Sequence, residues 1–228
     1  MSFQPKVLFE DNHLLVVNKP AGMLVQEDKT GDTSLEDWAK DYIQKKYNKP
    51  GEAFLGIVHR IDRPVSGLVL MARTSKALER MNNQFKERSI EKIYRVLVSH
   101  RPPADSDNLI HWVKKYTDKN LVKAYDETVK EGLLAELSYS LLGRISDDYL
   151  LEVKPVTGRP HQIRAQLAKI GCPIKGDVKY GGAKVKGKGR IYLHAWQLNF
   201  IHPVKKEPIQ ITADLPTDDL WNKYNQFK

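Results

Sequence analysis

The chain has 228 residues, 41% of them hydrophobic, and a formal net charge of +9 at pH 7. That is enough chain for one sizeable domain with a substantial core, and enough apolar content to exclude wholesale disorder. No run of about 18 apolar residues occurs, which excludes a membrane-spanning helix.

The positive balance points to a polyanionic partner, nucleic acid or an acidic membrane surface, with nucleic acid favoured. Met1–Lys6 lacks the apolar core of a signal peptide. The single cysteine, Cys172, excludes an internal disulfide and a zinc cluster of several cysteines. It fits a reduced, cytoplasmic compartment and reads as a small packed thiol.

In chain order, Val7 to Asn18 reads as a strand, a turn at Glu10-Asp11-Asn12 and a second strand through Leu14–Val17. Lys19-Pro20-Ala21-Gly22 breaks the pattern. A helix follows, with Thr33 as N-cap, Glu36 completing a capping box, and an apolar stripe of Leu35, Trp38, Ala39, Tyr42 and Ile43. Asn48-Lys49-Pro50-Gly51 closes it, and Trp38 and Tyr42 are assigned to core packing. The apolar run Leu68–Ala72 predicts a buried strand. A second helix, capped by Thr74 or Ser75, buries Ala77, Leu78, Met81 and Phe85. Ile90–Ser99 is a strand with Tyr94, Val96 and Val98 on one face and Ile93, Arg95 and Leu97 on the other.

Arg101 to Glu131, with scattered lysines, reads as loops and edge strands. Ala135–Ile145 and Tyr149–Val156 flank Ser146-Asp147-Asp148 as a hairpin. In a third helix Pro160 occupies the first turn, Ile163, Leu167 and Ile170 form the stripe, and Gly171 is the stop. Gly181-Gly182 opens a basic loop through Arg190, Ile191–Ile201 is a strand, and Ile209-Gln210-Ile211 is a last short one. Strands and helices mix without βα regularity. The expected class is α+β, with a mixed, largely antiparallel sheet and flanking helices.

Three places carry candidate chemistry. The first is His59-Arg60-Ile61-Asp62-Arg63-Pro64-Val65-Ser66-Gly67-Leu68, where a lone acid sits between two arginines ahead of a buried strand. An ionised acid there is expensive unless paired, so Asp62 is either an ion-pair strut or a working carboxylate. The second is Gly158-Arg159-Pro160-His161-Gln162-Ile163-Arg164, which sets Arg159 and His161 near a helix N-terminus and Arg164 about one turn in, a phosphate-attracting arrangement. His161 and Gln162 also serve as ordinary partners for backbone groups at a helix start. The third is Tyr94, with Lys92 and Arg95 around it, either a base-stacking platform or cross-strand packing.

Other chemistries fit less well. There is no P-loop and no G-x-S-x-G elbow. His59, His100, His111, His161, His194 and His202 are dispersed with no H-x-x-x-H pair, so no metal site is expected. A glycosidase needs two opposed carboxylates. Asp177 is flanked by Lys175 and Lys179, and nothing marks it as a proton donor.

At these residues the chain resembles the RluA-type family of RNA pseudouridine synthases. The segment around Asp62 is similar to the family's catalytic-aspartate segment, Gly158–Arg164 to its arginine-bearing segment, and Lys92-Ile93-Tyr94 to the segment of its base-stacking tyrosine. Asn18-Lys19-Pro20-Ala21-Gly22-Met23 resembles its N-terminal motif, and Leu193-His194-Ala195-Trp196 with His202-Pro203 its C-terminal one. The similarity runs from about Val7 to Ile211.

The resemblance implies a single catalytic domain over residues 1–228, with a central active-site cleft and no separate S4 RNA-binding module. The implied activity is conversion of uridine to pseudouridine in ribosomal or transfer RNA, without cofactor or metal, by a cytoplasmic monomer. Asp62 is then the essential carboxylate, attacking C1′ of the sugar or C6 of the base, or removing the 2′ proton. Arg164 pairs with it and Tyr94 stacks on the extruded uracil. Arg60, Arg159 and His161 are expected close to the substrate. Lys184, Lys186, Lys188 and Arg190 are candidates for backbone contacts.

Overall fold

The computed structural model describes residues 4–48, 51, 53–185, 189–224 and 227. Lys186 and Lys188 lie outside the described residues. In chain order the elements are β1 (Lys6–Glu10), β2 (Leu14–Lys19), α1 (Leu35–Tyr47), β3 (Gly56–Ile57), β4 (Ser66–Ala72), α2 (Ser75–Lys86), β5 (Glu91–Val98), β6 (Ser106–Tyr116) and β7 (Leu121–Tyr125). They continue with β8 (Leu133–Ile145), β9 (Asp148–Pro155), α3 (Gln162–Lys169), β10 (Leu193–Ile201), β11 (Pro208–Thr212) and α4 (Asp219–Lys223). The class is α+β, as expected. None of the described helices is long and apolar enough to cross a membrane. Internal contacts divide the chain into two compact units. One holds the chain up to Ile90 together with Ala195–Asp214, the other Glu91–His194 together with the chain from Leu215 on.

In the first unit β2 pairs antiparallel with β4, from Leu14 opposite Ala72 to Lys19 opposite Gly67. All seven residues of β4 are buried, which is why the run Leu68–Ala72 carries no polar alternation. Leu14, Val16, Leu68, Leu70, Met81, Leu198, Phe200 and Ile211 belong to one buried cluster of this unit's core. Gly67 adopts φ +113°, and a Cβ on it would lie 2.3 Å from the carbonyl oxygen of Ala195, so only glycine lets β4 close on β10 there. Thr74 caps α2, its hydroxyl accepting from the N–H of Ala77. The cap of α1 is Ser34 rather than the expected Thr33. Ser34 Oγ accepts from the N–H of Asp37, and Asp37 accepts from the N–H of Ser34, a complete capping box one residue later. Leu35, Ala39 and Ile43 are buried, whereas Trp38 and Tyr42 stack on each other at its flank, 5.5 Å apart.

In the second unit the strand order is β5-β9-β8-β6-β7, each neighbouring pair antiparallel. The Arg101–Glu131 region supplies an edge strand, β7, as read from the sequence, but corrects the rest of that reading. It contains β6, an 11-residue strand held between β8 and β7, with Leu109, His111 and Val113 buried on alternate positions. The β8–β9 hairpin closes with Ile145 opposite Asp148, and Ser146 takes the left-handed conformation that such tight connections favour. Helix α3 packs on this sheet through Ala165 against Val113, Val122 and Ala135. It begins at Gln162, later than Pro160 suggested, because His161 is left-handed (φ 50°) and Gln162 N–H closes a turn onto the Arg159 carbonyl at 3.1 Å. The strand expected from Ile191 starts at Leu193, and the short helix α4 was not anticipated.

Candidate active site

Asp62 lies half-buried on the turn that feeds β4, its carbonyl accepting from the N–H of Val65 at 3.0 Å. That turn is locked to the loop after β2 by hydrogen bonds onto main-chain carbonyls. Gly22 N–H donates to the Arg63 carbonyl at 2.7 Å, and Arg63 Nε donates back to the Gly22 carbonyl at 3.0 Å. Between the two segments lies Lys19, with no exposed surface. Its Nζ donates to the carbonyls of Met23 (2.7 Å), Pro20 (3.0 Å) and Arg63 (3.3 Å). Burial pushes its pKa down to about 7, opposed by the negative charge of Asp62 and aided by the positive charge of Arg63. Arg60 is exposed and donates to Gln26 Oε1 at 3.3 Å. His59 Nε2 accepts from the N–H of Leu70 at 3.1 Å, which fixes that nitrogen as unprotonated and ties the segment to β4.

In the second unit the register sets Tyr94 opposite Val153 and Val153 opposite Tyr139, so these three share a face. Ala135, an even number of residues before Tyr139 on β8, touches Ala165 of α3. Tyr94 and the helix bearing Arg164 therefore lie on one face of the sheet. Lys92 shares that face. Arg95 does not: it points the other way and pairs with Glu152 directly opposite on β9, so only one of the two expected flanking cations frames Tyr94.

Nearly all of α3 is buried, and its polar residues are committed. Gln162 Oε1 accepts from Thr157 Oγ1 (2.7 Å) and Arg159 N–H (2.9 Å), while its Nε2 donates to the Glu136 carbonyl (3.0 Å). For Gln162 the backbone-serving role thus applies. Gln166 Nε2 donates to the carbonyls of Leu109 and Ala135, both at 3.1 Å, stitching the helix to β6 and β8. Arg159 Nε donates to the Leu134 carbonyl at 3.0 Å.

Arg164 makes a two-pronged pair with Asp177, Nε to Oδ2 at 2.6 Å and Nη2 to Oδ1 at 2.9 Å, both side chains buried. The Tyr180 ring lies beneath the guanidinium, 4.9 Å from Cζ. The Tyr180 hydroxyl accepts from the Val122 N–H at 3.0 Å and is hydrogen-bonded to His161 Nδ1 at 2.8 Å. Within the second unit the structure therefore joins Arg164 and His161 through Tyr180. Sequence reasoning gave Tyr180 no role, placed Lys19 only within the N-terminal motif, and weighed Asp177 but discounted it for its flanking lysines. The only signal for Asp177 and Tyr180 was the Gly176–Gly182 spacing of a tight turn.

Residues 13–169, which contain Asp62, Tyr94 and Arg164, match the model of the family described as RNA pseudouridylate synthase. The chain belongs to the RNA pseudouridylate synthase family. Among curated relatives, this family member is similar to the ribosomal large subunit pseudouridine synthase C of Vibrio vulnificus (strain CMCP6), 32% identical over 93% of this chain and 66% of the relative. It is also similar to the protein of the same name from Buchnera aphidicola subsp. Acyrthosiphon pisum (strain APS), 34% identical over 93% of this chain and 68% of the relative. The chain thus spans about two thirds of the length of the curated relatives it matches. Two solved structures share the fold. Human RNA Pseudouridylate Synthase Domain Containing 4 has TM-score 0.77 and 22% identity, covering 93% of this chain and 89% of its own. Human RNA Pseudouridylate Synthase Domain Containing 1 has TM-score 0.73 and 22% identity, covering 93% and 84%.

Proposed function

We propose that this protein isomerises uridine to pseudouridine in RNA, with large-subunit ribosomal RNA as its substrate class. The observation that carries it is the match of residues 13–169 to the RNA pseudouridylate synthase family, a span that holds Asp62, Tyr94 and Arg164 together. The net charge of +9 supports a polyanionic substrate. The names of the curated relatives favour ribosomal over transfer RNA.

In the reaction the N1–C1′ bond breaks, the uracil turns, and a C5–C1′ bond forms. The C5 proton leaves to solvent and N1 gains one, so the change needs no redox partner. Asp62 is the carboxylate that acts on the reacting nucleotide. Tyr94 stacks on the uracil, which must first be taken out of its stack at a cost of a few kcal/mol. Arg164 orients the acid and the base through directed N–H donors. Arg60, Arg159 and His161 contact the RNA around the target, and the protein works as a cytoplasmic monomer. A half-buried carboxylate on a fixed turn suits a group that must be aimed without being fully stripped of water.

RNA labelled with tritium at uracil C5 tests this. Unmodified large-subunit ribosomal RNA is expected to release label to water on incubation with the protein, and transfer RNA is expected to release none. Asp62→Asn should lower the rate by about 1,000-fold or more with an unchanged melting temperature. Release of free uracil instead of pseudouridine would identify a base-removing glycosidase. Salt-sensitive RNA binding with no label release would make the protein a binding module.

A further inference from the structure

The side chain of Arg164 is long, flexible and buried, and something must aim the guanidinium at its tip. A guanidinium carries five N–H donors in a planar fork. Asp177 takes the side edge, Nε and Nη2, and the Tyr180 ring covers one face. These contacts fix both the plane of the group and its rotation within that plane.

Asp177 is itself built in. Gly182 N–H and Tyr180 N–H both bond to its carbonyl, at 2.8 and 3.0 Å, and its own N–H bonds to the Ile174 carbonyl at 3.0 Å. Gly181 is left-handed (φ +88°), and a Cβ on Gly182 would meet the Ile174 carbonyl oxygen at 2.1 Å. The turn that presents Asp177 therefore closes only with glycine at that position. Just before it, Ile174 bridges to Val98, and Lys175 N–H donates to the Leu97 carbonyl at 2.9 Å. Val98 and Leu97 end β5, the strand that begins with Tyr94's neighbours. One continuous frame thus runs from the strand of Tyr94, through the turn, to the carboxylate that grips Arg164.

We propose that Asp177 is a positioning residue for the uridine isomerisation, acting through Arg164: its carboxylate fixes the side edge of the guanidinium so that the end edge faces the reacting nucleotide. This rests on the role given above to Arg164. A buried carboxylate paired to a buried guanidinium also makes the pair neutral as a whole. Arg164 therefore works by the direction of its N–H groups rather than by surplus positive charge.

The test is steady-state kinetics on C5-tritiated ribosomal RNA, with kcat expressed per folded molecule from the near-ultraviolet circular dichroism. Asp177→Asn is expected to lower kcat about 100-fold while the KM for RNA moves less than about threefold, the pattern of a misaimed group. Asp177→Glu keeps the charge pair but shifts the fork by a methylene, so it is expected to fold and to lose kcat as well. In an Arg164→Lys background, Asp177→Asn is expected to cost nothing further, because the two act as a unit. Wild-type kcat per folded molecule in either Asp177 variant overturns the proposal while leaving Arg164's role intact. So does additive loss in the double variant. Failure of both Asp177 variants to fold assigns the residue to holding the structure and also overturns it. Wild-type kcat in Arg164→Lys alone overturns the underlying role of Arg164, whatever Asp177 does.

Discussion

The two units immobilise their key side chains by opposite means. Around Asp62 the grip is on the main chain: Gly22 N–H, Arg63 Nε and Lys19 Nζ hold carbonyls, and the acid is carried along by its turn. Around Arg164 the grip is on the side chain itself, a carboxylate on its edge and an aromatic ring on its face. The difference follows from reach. Aspartate has a short arm, so a fixed backbone nearly fixes its carboxylate. Arginine has a long one with large rotamer entropy, and a fixed helix leaves its tip undetermined. A long arm needs a buttress, and a short one needs a rigid turn.

Main-chain grip should fail as a whole, so the largest effect is expected where two backbones touch. Gly67→Ala, which forces a Cβ onto the Ala195 backbone at a positive φ, should cost about 4 kcal/mol in urea unfolding. A loss below about 1 kcal/mol would mean that β4 can shift cheaply.

Next comes Lys19→Met, which strips one donor from three carbonyls and should cost about 3 kcal/mol with a matching loss of kcat. Its sign with pH sharpens the comparison. The folded pKa of about 7 lies below the ordinary 10.5, so the unfolded chain binds more protons between them. The contribution of Lys19 is complete above 10.5 and is lost as pH falls through about 7. The stability gap between wild type and Lys19→Met should therefore widen from pH 7 to pH 9. A flat or narrowing gap would show that the three carbonyls keep the amine charged.

The smallest effect belongs to Tyr180→Phe. The ring stays under Arg164 while the hydroxyl's bonds to Val122 and His161 vanish, so stability should fall by about 1 kcal/mol. The rate should hold within about threefold, since the edge contact through Asp177 survives. A rate loss as large as that of Asp177→Asn would move the buttress from the carboxylate to the phenol.

Local rules were legible where one signal dominated. The unbroken run Leu68–Ala72 gave β4, the pair Thr74-Ser75 gave the start of α2, with Thr74 proving to be the cap, and Ser146-Asp147-Asp148 gave the β8–β9 hairpin. Thr33 and Ser34 offer two overlapping capping boxes, with Glu36 and Asp37 respectively. The choice between them is made by the three-dimensional packing of α1, which a local pattern does not contain. β6 was obscured because apolar Ile110 and Trp112 on its other face, and a polar His111 among the buried positions, blurred the alternation of Leu109, His111 and Val113.

The third helix was hardest to read. Its stripe named Ile163 and Leu167, but Gln162, Arg164 and Gln166 are buried too, because each answers a polar group arriving from elsewhere in the fold. Asp177 was discounted for its flanking lysines. On a tight turn successive side chains diverge: Lys175 reaches Asp148 and Lys179 is exposed, while Asp177 turns inward. Site residues carried by ordered motifs were visible as candidates, whereas those that only support them left no pattern.

Tyr180 has one more effect, at the rim of the second unit. β7 ends the strand order there, and a terminal strand offers unclaimed amides to which a foreign chain can add itself. The phenol claims the amide of Val122 on that rim. The residue whose ring steadies an arginine thus also removes, through its hydroxyl, a rung from the ladder on which aggregation would begin.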